Sequence, residues 1–268
     1  MRGGLTQLDL PAYLERLGLS APPEPSLEGV AELMGAHLAA IPFENIDVRL
    51  GRPIRLDLPS LESKLVRGGR GGYCFEQNTL AAAALRRLGV EVATFEARVR
   101  PPGAVVVLPR THMTLRVEAD DASWLVDVGF GGDAPLRPVP FSGEEVEDSG
   151  GVYRLAREGE RVRVLQRRTA AGWSDLYAFL SEPALPVDFE VANHFTSTHP
   201  RSIFVQTLTA QRSTAEAFHV LRGRLYTRSG EAAEERADLD DAQVHELLTG
   251  VYGLRVELDE VRGALRGL

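Results

Sequence analysis

Cys74 is the only cysteine of the sequence and the residue best placed to do covalent chemistry. It follows Gly71-Gly72 and stands at the first turn of a helix predicted over residues 75–88. Paired glycines let the chain turn sharply and keep bulk away from a group that approaches the sulfur. Free N–H groups and the dipole at a helix start favour a thiolate. Because free cysteines are often simply buried, the position alone also fits a structural thiol.

A thiolate nucleophile needs a base, and one of the six histidines, His112, is predicted to lie beside a carboxylate. It lies on the polar face of an alternating strand over residues 111–117, and the next predicted strand, 123–128, carries Asp127. A hairpin with residue 119 opposite residue 122 places His112 and Asp127 on one face, one diagonal step apart. A slip of one residue would separate them and split the apolar residues of the two strands between faces, so the hydrophobic pattern favours this register.

Cys74, His112 and Asp127 together predict a catalytic triad. An aspartate that accepts a hydrogen bond from one imidazole nitrogen fixes the tautomer and leaves the other nitrogen facing a nucleophile. Taken singly, His112 also fits a structural strand histidine and Asp127 a turn former. The combined geometry is what favours nucleophilic catalysis over these structural roles.

Composition excludes several other classes of protein. The chain has 268 residues, enough for one large domain or two to three small ones, with the 44% hydrophobic and 25% charged residues of a soluble globular protein. One cysteine excludes a disulfide framework and a Cys₂ or Cys₄ metal site. The only lysine, Lys64, lies in no phosphate-binding loop motif, which excludes P-loop chemistry. His194 and His199 match no metal-binding helix motif, so we expect no metal.

The net charge of -8 argues against a protein that binds nucleic acid or anionic membranes, although a local basic site for an anionic cofactor stays open. Residues 67–72 form two Arg-Gly-Gly units, too short and isolated to indicate nucleic-acid binding. The start of the chain lacks the apolar core of a secretory signal, and no apolar run approaches the ~20 residues of a membrane helix. We therefore expect a soluble, cytoplasmic protein.

The periodicity of apolar residues predicts helices in the first third, strands in the middle and both at the end. Helices are predicted over residues 10–17, 27–38, 58–66, 75–88, 240–248 and 259–265. Strands are predicted over residues 90–99, 111–117, 123–128, 152–166 (a pair), 204–208 and 222–227. Residues 141–151, which are acidic and contain glycine and serine, are predicted to be a surface loop.

Residues 70–78, RGGYCFEQN, resemble the active-site signature of the arylamine N-acetyltransferase family. IPFEN at 41–45, THM at 111–113 and DVGFG at 127–131 resemble the other landmarks of the family, in the same order. The resemblance extends from residue 13 to about residue 204. It implies an α+β fold with a cysteine-protease-like Cys–His–Asp core in three parts. These are a helical bundle over 1–89 that carries the nucleophile, a β-barrel over 90–186 that carries His and Asp, and an α/β lid over 187–268.

The same resemblance implies a two-step acetyl transfer of xenobiotic metabolism. The thiolate takes the acetyl group from acetyl-CoA, which is a substrate and not a bound cofactor, and an arylamine or hydrazine nitrogen then accepts it. The family match makes Cys74 the nucleophile, His112 the base and then the acid, and Asp127 the orienting carboxylate.

The remaining predicted contacts fall into three groups. Phe43 and Phe130 are predicted to line the acceptor pocket, and Arg70 and Glu44 to support the loops around the sulfur. The residues predicted to contact CoA are Gly129, Gly131, Gly132, His199 and Ser202. With one lysine in the chain, a cationic clamp for the phosphates of CoA has to be built from arginine.

Three alternatives stay open at this point. A macrolactam-forming amide synthase of the same family would use a longer acyl chain, and a Cys–His–Asp thiol hydrolase would pass the acyl group to water. A non-enzymatic relative would keep only the fold, against which the intact triad argues. The acceptor amine, the preferred acyl chain and the oligomeric state are not determined by the sequence.

Overall fold

The computed structural model of the chain describes residues 7–103, 106–132, 134–214, 217–230 and 233–267. Its helices are α1 (Leu10–Leu17), α2 (Leu27–Ala40), α3 (Ile46–Arg49), α4 (Leu58–Leu61), α5 (Cys74–Arg87), α6 (Pro186–Thr198), α7 (Ile203–Gln206), α8 (Asp241–Gly250) and α9 (Leu258–Ala264). Its strands are β1 (Phe43–Glu44), β2 (Glu91–Val99), β3 (His112–Ala119), β4 (Ala122–Val126), β5 (Val139–Pro140), β6 (Val146–Asp148), β7 (Gly151–Glu158), β8 (Val162–Thr169), β9 (Gly172–Leu180), β10 (Thr209–Ser213), β11 (Ala217–Arg222), β12 (Leu225–Gly230) and β13 (Glu234–Arg236).

The first helices begin and end where their capping residues predict. The Asp9 carboxylate accepts a hydrogen bond from the Ala12 N–H at the start of α1, and Gly18 ends that helix with a positive φ of 76°. The Ser26 hydroxyl accepts from the Gly29 N–H at the start of α2. The predicted helices over 10–17, 27–38 and 58–66 are confirmed, the last as α4 continued by a π-helical turn, Glu62–Arg67.

The middle of the chain forms an eight-stranded antiparallel sheet in the order β5-β4-β3-β2-β9-β8-β7-β6, curled into a nearly closed barrel. In the β3–β4 hairpin Ala119 lies opposite Ala122, which is the predicted register. Both faces of β3 are buried over its first four residues, and the polar face becomes partly exposed from Arg116 onwards. Met113, Leu115 and Val117 pack in the core with the N-terminal helices, whereas the polar face lines the barrel, where the Thr114 hydroxyl lies 3.0 Å from the Tyr177 hydroxyl.

A second antiparallel sheet, in the order β1-β10-β11-β12-β13, joins the two ends of the chain. Its first strand comes from the N-terminal part, with Phe43 opposite Gln211. The sheet packs through Ala210 and Leu221 against apolar side chains of α8 and α9. Helices on one sheet and a barrel beside them confirm the α+β fold, and the three-part division of the chain stays a prediction.

Three local predictions were wrong. Residues 204–208 begin in α7 rather than in a strand, because the distant Asn45 amide binds the carbonyl groups of Phe204 and Thr207 and overrides β-propensity. Residues 222–227 include the turn between β11 and β12, where Gly223 has a φ of 58°. The predicted loop over 141–151 contains β6, because the Asp148 carboxylate accepts from Leu136 N and Gly150 N and draws this segment alongside β7.

Candidate active site

Cys74 is the first residue of α5. The loop before it contains Gly71 and Gly72, and other atoms pack closely against both glycines. The Tyr73 N–H that precedes it donates to Glu76 Oε2 at 3.0 Å, which caps the helix start. A Cβ at Gly71 would lie 2.0 Å from the Pro42 oxygen, and one at Gly72 would lie 2.7 Å from Glu76 Oε2. Neither glycine has a positive φ. The glycine pair is therefore required by close approach of other atoms, not by the sharp turn that the sequence suggested.

His112 and Asp127 form a buried hydrogen-bonded pair beside the sulfur. His112 Nε2 lies 2.6 Å from Asp127 Oδ2, and both side chains are almost completely buried. The other carboxylate oxygen, Oδ1, accepts from Asn78 Nδ2 and from the Gly129 N–H, each at 2.9 Å. Since Nε2 is bound to Asp127, Nδ1 is the ring nitrogen left to face Cys74, which lies close enough to His112 to raise its pKa. The Cys74 sulfur also contacts the Thr111 carbonyl oxygen at 3.6 Å. The predicted pairing of these two strands therefore brings all three side chains together.

The electrostatics of the pair favour its charged form. Burial by itself lowers the pKa of His112, but the charge and hydrogen bond of Asp127, together with those of Cys74, raise it to about 10. Burial raises the pKa of Asp127, but the His112 charge and the hydrogen bonds from His112, Asn78 and Gly129 hold it below its usual value. At neutral pH an imidazolium therefore lies next to Cys74, which is the arrangement that stabilises a thiolate nucleophile.

Cys74 and His112 line one wall of a cleft of about 620 Å³, and Asp127 lies behind His112. Of the residues predicted to contact substrates, the cleft is lined by Phe43, Phe130, Gly129, Gly132 and Ser202. His199 is absent from the lining and instead stacks on Phe195, with ring centroids 4.4 Å apart. Gly131 is also absent, and a Cβ there would lie 2.1 Å from Gln211 Oε1.

Comparison with known proteins agrees with this geometry. A family model described as N-acetyltransferase matches residues 26–261. The arylamine N-acetyltransferase of Mycolicibacterium smegmatis is 36% identical over 264 residues, which cover 96% of this chain and 94% of that protein. The chain belongs to the arylamine N-acetyltransferase family.

Further members of the arylamine N-acetyltransferase family match over nearly the full length. The arylamine N-acetyltransferase / N-hydroxyarylamine O-acetyltransferase of Salmonella typhimurium is 36% identical over 255 residues, covering 92% of this chain and 89% of that protein. The Nocardia farcinica crystal structure superposes with a TM-score of 0.89 at 39% identity, covering 98% and 95% of the two chains. A Mycobacterium marinum structure in complex with CoA gives a TM-score of 0.89 at 34% identity, covering 96% and 98%.

Arg70 and Glu76, two residues of the segment 70–78 that resembles the family signature, belong to a cluster of ion pairs behind Cys74. Arg70 Nη2 lies 2.9 Å from Glu44 Oε1, and the second oxygen of Glu44 accepts from Ile46 N. Lys64 Nζ lies 2.7 Å from Glu76 Oε1 and 2.9 Å from Asp47 Oδ2. Arg70 and Glu44, which were each predicted to support the loops around the sulfur, are thus paired with each other, and the only lysine of the chain is committed to the same cluster.

The cleft also contains arginines that sequence reasoning could not identify. Arg100, Arg201 and Arg222 line it. Arg100 is ion-paired with Glu158 and Asp175. Arg201 and Arg222 form no ion pair with any residue in the described part of the chain. These two exposed guanidinium groups are therefore available to an anionic ligand.

Asn78 also belongs to the site, although the sequence did not single it out. It lies one turn after Cys74 on α5, where its amide donates to Asp127 and to the Met113 carbonyl while its oxygen accepts from Val128 N. One side chain thus joins α5, which begins at Cys74, to the strand ends that carry His112 and Asp127. Asparagine is unfavourable in the middle of a buried helix unless its side chain has hydrogen-bond partners. The position of Asn78 within the helix predicted over residues 75–88 could therefore have indicated such partners.

Proposed function

We propose that the protein is an acetyl-CoA-dependent arylamine N-acetyltransferase that works through an acetyl thioester on Cys74. The observation that carries the proposal is the hydrogen-bonded His112–Asp127 pair next to a cysteine that lines the substrate cleft. In the first step the Cys74 thiolate attacks the acetyl carbonyl, and the bond from that carbon to the CoA sulfur breaks. The His112 imidazolium gives its proton to the departing CoA thiolate.

In the second step the acceptor nitrogen attacks the thioester carbonyl. The bond to Cys74 breaks, the thiolate forms again, and neutral His112 takes the proton from the nitrogen, so the starting state returns. Arylamine nitrogens are weakly basic and neutral at pH 7, so they attack without first losing a proton. Phe43 and Phe130 offer this aromatic acceptor a flat apolar slot, which suits it better than a charged anchor.

The first test is an acceptor screen with acetyl-CoA combined with mass spectrometry of the intact protein. We expect CoA release that depends on an aromatic amine or hydrazine, and one acetyl adduct when acetyl-CoA is added alone. The adduct should be absent in Cys74→Ala. Because the only lysine is buried in ion pairs with Glu76 and Asp47, acetylation at a lysine should not obscure this adduct.

Two results would contradict the proposal. An acetyl adduct that persists in Cys74→Ala would refute the nucleophile. Consumption of acetyl-CoA at the same rate with and without amine would instead support the thiol hydrolase, because water would then be the acceptor.

The cytoplasmic location expected from the sequence stays a proposal. Among the described residues, no helix is long and apolar enough to cross a membrane.

We propose that Arg201 and Arg222 bind the phosphate groups of CoA. The only lysine of the chain is paired with Asp47 and Glu76, so a cationic phosphate site has to be built from arginine. Hydrogen bonds between charged groups are the strong ones, so Arg201→Gln or Arg222→Gln should raise the KM for acetyl-CoA roughly tenfold. Transfer from p-nitrophenyl acetate, which carries no phosphate, should stay unchanged. Steady-state kinetics with both donors measures the difference.

Arg161→Gln is a matched control, because Arg161 is 74% exposed and lies in a surface ion pair with Glu182. Its KM for acetyl-CoA should equal that of the wild type. An equal loss with both donors in Arg201→Gln and Arg222→Gln would assign these arginines to the fold or to the acyl transfer itself, and would contradict a phosphate clamp.

A further inference from the structure

Three buried polar side chains form a chain of hydrogen bonds behind the active-site loops. Tyr13 is on α1, His37 on α2 and Gln77 on α5, and none has exposed surface. The Tyr13 hydroxyl lies 2.6 Å from His37 Nδ1, and His37 Nε2 lies 2.5 Å from Gln77 Oε1. Buried polar groups are costly unless each donor meets an acceptor, so the direction of every hydrogen bond in this chain matters.

The far end of this chain holds two segments that flank the nucleophile. Gln77 Nε2 donates to the Pro42 carbonyl at 3.0 Å and to the Gly72 carbonyl at 3.1 Å. Pro42 precedes Phe43, which lines the cleft, and Gly72 lies two residues before Cys74. One amide group therefore ties the wall of the acceptor slot to the loop of the nucleophile.

The donors and acceptors match in only one arrangement. The Gln77 NH₂ faces three carbonyl groups, those of Ile41, Pro42 and Gly72, so its oxygen faces His37 and needs a donor there. His37 must then carry its proton on Nε2, which leaves Nδ1 to accept from the Tyr13 hydroxyl. With the proton on Nδ1 instead, Nε2 and Gln77 Oε1 would be two acceptors in contact. Rotating the amide would only move the same conflict to the Pro42 and Gly72 carbonyl groups.

The charge state of His37 is consistent with this arrangement. Burial lowers the pKa of His37 to about 4, although its hydrogen bond to Gln77 opposes that shift. The ring is therefore neutral at pH 7 and carries a single N–H. A single N–H is what fixes the direction of the hydrogen bonds.

We propose that Tyr13, His37 and Gln77 act as one directional relay that positions Phe43 and Cys74 relative to each other. They are positioning residues for the acetyl transfer, and this role rests on the proposed function. The backbone carbonyl groups fix the orientation of the Gln77 amide, and the amide oxygen then requires the proton on His37 Nε2. The Tyr13 hydroxyl donates to the Nδ1 that this tautomer leaves as an acceptor, and so holds the His37 ring in place behind the amide.

A double-mutant cycle on turnover tests whether the relay acts as a unit. Tyr13→Phe removes its first donor, and Gln77→Met removes the amide with little change in side-chain length. Each should lower kcat/KM for transfer to an aromatic hydrazine roughly fivefold to tenfold, the effect of about one hydrogen bond. The double variant should lose no more than the worse single variant. Tyr13 and Gln77 make no hydrogen bond to each other, so multiplicative losses would mean independent structural roles and would overturn the relay.

Tyr252→Phe is the matched control, because the buried Tyr252 hydroxyl has no hydrogen-bond partner among the described residues. It belongs to the core of α8 and α9, and its removal should leave turnover unchanged. Nitrogen-15 NMR of the wild-type histidines should assign the proton of His37 to Nε2; a proton on Nδ1 would overturn the relay. Wild-type protein without transfer activity would defeat the proposed function instead, and the NMR result would still test the relay.

Discussion

Replacing Asp127 with asparagine should lower kcat/KM for acetyl transfer by about 10⁴, because the corresponding change in a serine-protease triad lowers kcat by about that factor. The volume of the side chain is kept, but the carboxylate that lies 2.6 Å from His112 Nε2 is lost. The carboxylate is also the main cause of the raised His112 pKa, so the variant loses the imidazolium beside Cys74 at neutral pH. The rate of Cys74 acetylation, measured in the pre-steady state with acetyl-CoA, reports the loss directly.

A matched control is Asp175→Asn. Asp175 also lines the cleft, but its carboxylate pairs with Arg100, and no hydrogen bond joins it to His112 among the described residues. We expect this change to lower kcat/KM less than tenfold. If Asp127→Asn were equally mild, the aspartate would be a structural residue and the triad would reduce to Cys74 and His112.

The same pair gives the stability of the protein a pH dependence. His112 has a folded pKa of about 10, above its ordinary value of 6.5, so the folded state binds the proton more tightly than the unfolded chain does. The resulting stabilisation is complete below about pH 6.5 and is lost as the pH rises through about 10. Thermal unfolding of the wild type should therefore shift to lower temperature between pH 7 and 10, and this shift should be smaller in Asp127→Asn.

The placing of Cys74, His112 and Asp127 near one another could be predicted from the sequence because it follows from local patterns. Strand register is fixed once one face must be apolar, so the alternation over residues 111–117 and 123–128 was sufficient to bring His112 towards Asp127. The position of Cys74 at a helix start followed from Gly71-Gly72 and the apolar stripe after it. Both inferences use spacings of fewer than twenty residues.

The rest of the site depends on contacts between distant parts of the chain, which carry no local signature. The relay joins residues 24 and 40 positions apart, from Tyr13 to His37 and from His37 to Gln77. The fold of residues 204–208 was predicted incorrectly for the same reason, since Asn45 binds that segment from 159 positions away. The availability of Arg201 likewise depends on which acidic groups the fold brings near it.

Replacing Lys64 with methionine should lower the free energy of unfolding at pH 7.5 by about 3 kcal/mol, since removal of one partner leaves a buried charge uncompensated. Methionine fills much of the same volume, so the change isolates the charge. Glu76 is almost completely buried, and Lys64 holds one of its oxygens at 2.7 Å while Tyr73 N binds the other. Burial already raises the pKa of Glu76, and the loss of Lys64 raises it further.

The stability lost in Lys64→Met should depend on pH, because it depends on whether Glu76 carries a proton. In Lys64→Met the folded protein holds a proton on Glu76 more tightly than the unfolded chain does, so the deficit should shrink as the pH falls from 7.5 towards 5. Denaturant unfolding of Lys64→Met/Glu76→Gln should regain at least half of the lost stability, because glutamine keeps an oxygen for Tyr73 N without the charge. Arg161→Met, which breaks an exposed pair, should cost less than about 1 kcal/mol. A Lys64→Met protein no less stable than Arg161→Met would show that Glu76 needs no cation, and would contradict the prediction; Asp47 keeps Arg52 and Arg70 as partners in either case.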